Sequence, residues 1–304
     1  MANKRRITLC CEPEWDDEVD VICTDSGLGG LATAIATVEQ DGEVFVADRS
    51  DPRTDLRTEA SGAATPATLG SAGGWLRVGS DAHTAEYFRE LTADLDLDAL
   101  RHTDPDLPVH LMGATAPVRG RTVPPFEGAR LRDWAARCVP SPSGYLYTRV
   151  TDWTAATRSD GDGTLFKVTE VGALTPDPDD PVGSVLAWLE SEADSRDIHR
   201  NPVTRFERLI FQDGQVIGAV FATEDGPVWV RARHGVLICR GRAAGRGAAL
   251  PGLRAGTPLR IALVGTEASR FGRVELLTSD SSVVEAIGRP ASQHTAGAVT
   301  TWRN

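Results

Sequence analysis

Residues 20–49 read DVICTDSGLGGLATAIATVEQDGEVFVADR, and the fold is decided on this stretch. A short apolar run leads into a glycine-rich turn. A helix-forming run with alanines at 32, 34 and 36 follows, and then a second apolar run that ends in an acid. Strand, turn, helix and strand within about 30 residues is the frame of a dinucleotide-binding β-α-β unit. VDVICT at 19–24 suits a strand buried on both faces, with EVFVAD at 43–48 as its neighbour. The small residues between them let the helix lie close to the sheet.

In such a turn the first glycine permits the bend, the second lets backbone approach a pyrophosphate, and the third lets the helix pack on the strand. Gly27 and Gly30 hold the second and third places, with Gly29 as an extra small residue, but Asp25 stands in the first. Aspartate accepts turn conformations, so the shape survives. Its charge is the expected difficulty: a carboxylate 4 Å from a phosphate is repelled by about 1 kcal/mol in water and by several near a protein surface. Amides at the helix N-terminus would have to offset that. Asp48 closes the second strand, 23 residues on from Asp25, where an acid can accept a hydrogen bond from a ribose hydroxyl.

Composition sets the frame around this unit. The chain has 304 residues, 41% hydrophobic and 25% charged, as ordinary globular proteins do. A formal charge of −11 argues against nucleic acid as the partner, because a phosphate-binding surface needs a basic footprint. No apolar run reaches the roughly 20 residues of a membrane-spanning helix. The N-terminus, basic and then acidic, lacks a signal-peptide core, so a cytoplasmic location is expected. Arginine exceeds lysine, as in chains from high-GC, actinobacterial-type genomes. Five cysteines, at 10, 11, 23, 138 and 239, form no disulfide framework. Cys23 and Cys239 sit in apolar runs as small hydrophobes. The six histidines show no metal-ligand spacing, so no metal site is expected.

Further along, DAHTAEYFRELTADLD predicts a helix with Tyr87, Phe88 and Leu91 inward. GARLRDWAARCV predicts another around Leu131, Trp134 and Cys138, and VGSVLAWLESEAD at 182–194 a third. Residues 102–128 read as irregular, and 158–181 as a turn-rich surface excursion with room for one strand inside. From 203, alternating apolar runs are separated by the Asp-Gly turns QDGQ and EDGP, the strongest short hairpin signal, which gives a meander over 203–233. GVLICRG reads as a further strand, LRIALVG and RVELLTS as two more, and the last 20 residues as weakly ordered. Trp75, beside Gly73 and Gly74, reads as a core tryptophan.

The opening unit, the segment SGAATPATLGSAGGW and the run NPVTRFERLIFQDGQVIGAVFATEDGPVWVRARHGVLICRG together resemble the succinate dehydrogenase/fumarate reductase flavoprotein family, which includes 3-ketosteroid dehydrogenases. The resemblance spans about residues 19–241, and its most specific element is D-G-x-V-I-G-x-V at 213–220. It implies an α/β chain with a Rossmann-like FAD-binding fold, a central parallel sheet plus a β-meander, lacking the family's cap domain. It divides the chain into a lead-in (1–18), an FAD-binding-like domain (19–241) and a divergent extension (242–304) in place of cap and closing segment.

By the same resemblance, Gly27, Gly29, Gly30 and Asp48 would line the ADP part of FAD. Thr65, Gly73 and Gly74 fall in the flavin loop, Val203 faces the adenine, and Gly241 opens the strand-end glycine pair, whose second member is here Arg242. No proton donor or acceptor is assigned. The expected function is the FAD-binding subunit of a flavin-dependent oxidoreductase acting on a ketosteroid or enoate. A second protein subunit, or self-association, would cover the exposed cap-side face. The alternative is a non-catalytic relative that has lost FAD and serves as a structural or assembly subunit. An NAD(P)-dependent dehydrogenase is a third reading.

Overall fold

The structure, a computed structural model, describes residues 14–49, 74–77, 81–113, 128–150, 155–159, 164–241 and 248–288. Strand β1 (Asp17–Cys23) and strand β2 (Val44–Arg49) flank helix α1 (Leu28–Val38). Val21 and Cys23 pack into one apolar cluster and Ile22 into another, so β1 is covered on both faces, as its uninterrupted apolar run requires. Buried Ala32, Ala34 and Ala36 let α1 approach.

A short 3-10 turn (Gly74–Arg77) precedes α2 (Ala82–Leu91), which starts where Asp81 accepts the Thr84 amide at 2.8 Å. Next come β3 (Val109–Leu111), α3 (Gly128–Cys138), β4 (Gly144–Tyr147), β5 (Ala156–Ser159) and β6 (Leu165–Leu174). Helix α4 (Pro181–Ser195) opens with Asp180 as cap and proline in its first turn. Strands β7 (Arg200–Val203), β8 (Arg205–Gln212), β9 (Gln215–Thr223) and β10 (Gly226–Cys239) follow. The described chain closes with β11 (Leu259–Gly265), β12 (Phe271–Thr278) and α5 (Ser281–Gly288).

All twelve described strands join one mixed sheet, with the path β5-β6-β11-β12-β4-β10-β1-β2-β7; β8 and β9 extend from β10, and β3 pairs with β12. The expected parallel sheet is a parallel block, β10-β1-β2-β7, continued by antiparallel strands. The α/β class holds and the sheet is mixed. Strands β8, β9 and β10 form the antiparallel meander.

Four local expectations need correction. VWVRAR and GVLIC are one continuous strand, because Gly235 (φ +146) and a register shift between Val19 and Val21 absorb the irregularity midway along the pairing with β1. The excursion at 158–181 does hold the strand read inside it, the ten-residue β6, but that strand pairs with β5 and β11 inside the sheet rather than lying apart on the surface. The irregular stretch holds β3. Residues 285–288 are helical, and 289–304 lie outside the described residues.

Candidate functional site

The C-terminal ends of the parallel strands β1, β2 and β10 converge, which is where open α/β sheets bind ligands. The turn from β1 to α1 is pinned to β10. Thr24 donates its amide to Leu237 O at 3.0 Å, and Cys239 donates its own to Thr24 Oγ1 at 3.3 Å. A β-carbon on Gly30 would run into the Asp25 carbonyl oxygen, so Gly30 meets the close-packing demand of the third glycine. Gly29 is nearly as tight, its position 3.3 Å from Cys239 Cβ.

Asp25 is 3% exposed, and its charge is paired rather than repulsive. Its Oδ2 accepts hydrogen bonds from Arg49 Nε at 2.8 Å and Nη2 at 2.6 Å, and its Oδ1 accepts the Gly27 amide at 3.1 Å. The carboxylate therefore occupies the meeting point of a guanidinium and a turn amide, the donor set that binds an anion at a helix start. Burial pushes the Asp25 carboxyl above its ordinary pKa, with Arg49 and the Gly27 amide pulling against it.

Asp48, the ribose candidate, accepts Ser26 Oγ at 2.5 Å. Gly241 passes beside the ion pair: a β-carbon there would be 2.5 Å from Arg49 Nη2 and 2.8 Å from Asp25 Oδ2. Val203, buried at the end of β7, pairs with Arg49 of β2.

The fold thus gathers Gly27, Gly29, Gly30, Asp48 and Gly241, with Val203 on the adjoining strand. Gly74 opens the 3-10 turn, whose Trp75 donates Nε1 to Val139 O at 2.8 Å and packs on the core, as read from sequence. Thr65, Gly73 and Arg242 lie outside the described residues. Sequence reasoning missed Arg49 and Ser26. The signal was there, an acid in a glycine's place and a base ending the neighbouring strand, but without the pairing of β1 with β2 nothing joined them.

Groups that an ADP moiety would use are engaged within the chain. The Gly27 amide is engaged by Asp25, Asp48 is engaged by Ser26, and the Arg49 head lies against Gly241. Cys23, Cys138 and Cys239 are free and buried, and burial pushes each thiol up, so none is a poised nucleophile.

No family model matches the sequence, and no curated protein does. Among solved structures, a 3-ketosteroid-Δ4-(5α)-dehydrogenase from Rhodococcus jostii matches with TM-score 0.29 and 18% identity, over 74% of this chain and 46% of its own. A flavocytochrome c3 fumarate reductase matches with TM-score 0.27 and 11% identity, over 72% and 33%. A myxobacterial FAD-dependent chondrochloren halogenase matches with TM-score 0.24 and 11% identity, over 90% and 55%. This chain spans half or less of the first two. Superpositions this loose carry no chemistry across, and the functional reading rests on the residues above.

Proposed function

We propose that this chain keeps a flavoprotein-type, Rossmann-like β-α-β frame as a non-catalytic scaffold in which an internal carboxylate replaces the cofactor's phosphate. The observation that carries the reading is Asp25, buried and held by both Arg49 and the Gly27 amide. The ion pair supplies in cis the negative charge that a pyrophosphate would bring. Opening it would cost the turn its only charged partner for a buried carboxylate among the described residues, a penalty of about 3 kcal/mol or more. Its role is then structural or assembly-related, within a complex completed by a second chain or a second copy. A cytoplasmic location and the division at 18 and 241 belong to the same reading.

Such a partner would not rest on a broad apolar face of the described residues, among which Val150 is the exposed large hydrophobic side chain. No helix among those residues is long and apolar enough to cross a membrane.

The second reading, an FAD-binding oxidoreductase subunit for a ketosteroid- or enoate-type substrate, is favoured by the same frame: Gly30 packed on the turn, and Asp48 at the end of β2. FAD titration of the purified chain, followed by flavin fluorescence and equilibrium dialysis, separates the two. Colourless protein that takes up no FAD is the expected result, while Asp25→Gly, which frees Arg49 and the Gly27 amide for a phosphate, should raise FAD uptake. Stoichiometric FAD in the wild-type chain would overturn the scaffold reading in favour of the second.

A further inference from the structure

Helix α1 carries the glycine turn at its first residues, and its other half faces a cavity of about 140 Å³. Thr33, Ala36, Thr37 and Gln40 line it at the three- and four-residue spacing of one helix face. Leu237, Leu263 and Phe271, from β10, β11 and β12, give it an apolar floor. The volume is close to that of the engineered cavity of about 150 Å³ that admits benzene.

Two features separate this cavity from a packing defect. The Thr33 and Thr266 hydroxyl oxygens, both on lining residues, are shut off from solvent and have no hydrogen-bond partner among the described residues. Buried hydroxyls are normally paired, so a rotation of either side chain toward the cavity would give it a partner on a bound ligand. Among the described residues the lining also holds three cations, Arg149, Lys167 and Arg270, against one acid, Glu267, in a chain whose formal charge is −11. Arg149 is held in place through Nη1 on the Arg233 carbonyl, and Arg270 through Nη1 on the Tyr87 hydroxyl, both at 3.0 Å. An apolar floor, hydroxyls on the wall and fixed guanidinium groups at the margin match a ligand with a compact apolar body and one negative head.

We propose that this cavity binds a small organic monocarboxylate whose body is the size of a benzene ring or a short acyl chain. The site is independent of the dinucleotide reading, because it lies at the far end of α1 from the turn.

The test uses the full chain in calorimetry and ligand-observed NMR, with benzoate and hexanoate as probes and their neutral amides as controls. The expected result is a carboxylate dissociation constant of about 1 mM or below. It should be about tenfold tighter than that of the matching amide, the increment of one charge-assisted hydrogen bond. Arg270→Gln should weaken benzoate about tenfold and leave benzamide unchanged. Leu263→Trp, which fills the cavity, should abolish binding. Should that variant not fold, Thr33→Val keeps the side-chain shape and should weaken both carboxylates several-fold. Folded wild-type protein that binds neither carboxylate, binds acid and amide equally, or binds as before after Arg270→Gln and Thr33→Val, overturns the proposal.

Discussion

Gly30 and Asp25 are coupled through backbone as well as by position in a motif. The Asp25 carbonyl oxygen occupies the place a Gly30 side chain would need, and both residues belong to a turn pinned by Thr24 to β10. Gly30→Ala must therefore push the turn from the helix or move the helix off the sheet, and neither can yield cheaply in a close-packed core. The expected cost is about 3 kcal/mol, read as a fall in the urea midpoint with unchanged slope. Ala at Gly29 meets the Cys239 and Tyr145 side chains at 3.3–3.4 Å, contacts that can relax, so it should be milder than Gly30→Ala. Equal losses at the two positions would show that the turn is looser than described.

At the scale of elements, the meander is set by two short turns. Asp213 and Gly214 have φ +50 and +79, so both central residues are left-handed, the geometry that lets two twisted strands continue into each other. Aspartate tolerates that region and glycine adopts it freely. Open space surrounds Gly214, so Gly214→Ala brings no clash and isolates the backbone term. The expected loss is about 1 kcal/mol, with the fold intact by circular dichroism. A loss several times larger would mean that the turn contacts something beyond itself.

Across the whole molecule, the charged core is the feature that hydrophobic patterning does not anticipate. Arg273 and Glu275, both on β12 and both 0% exposed, lie deep in the sheet. Arg273 donates Nε to Glu275 and Nη1 to Asp104 at 2.6 Å, and its guanidinium stands over Trp134 at 5.3 Å. His110, half-buried on β3, meets the other Glu275 oxygen at 2.5 Å. Burial raises the pKa of Glu275, but His110 and Arg273 outweigh it and hold the carboxyl below its ordinary value. Asp104 is held low in the same way by Arg273 and Arg137 against its desolvation.

The sign of the pH dependence follows. A carboxylate whose folded pKa lies below the unfolded one, about 4.3 for glutamate, contributes stability that is complete above that value. The contribution is lost as the pH falls through the lower folded pKa. Urea midpoints measured from pH 7 down to about 3 should fall below pH 4.3. Glu275→Gln should cost about 3 kcal/mol at pH 7, because it removes one of the two carboxylates that pair buried Arg273 and leaves only Asp104, and should flatten the acid limb. An acid limb of unchanged slope in the variant would place the pH sensitivity elsewhere.

The strand–helix–strand frame, the helices around Phe88, Trp134 and Leu189 and the Asp-Gly meander were legible in the chain because each is written in local terms: hydrophobic period, capping residues and turn chemistry. The places of Gly27 and Gly30 in the turn and of Asp48 near the end of β2 were legible for the same reason. What the sequence could not carry were the relations between segments. It showed Asp25 as a charge in the wrong place; only the parallel pairing of β1 with β2 delivers Arg49 to it, and only the end of β10 makes Gly241 the residue that passes beside the pair. Strands β11 and β12 were read as strands, yet their insertion between β6 and β4, and the burial of Arg273 and Glu275 that results, is a choice of partners far apart in the chain, such as Leu259 with Leu174 and Arg273 with Gly144. Local propensity fixes what a segment can be, whereas the contacts that satisfy a buried charge are long-range and are settled when the sheet assembles.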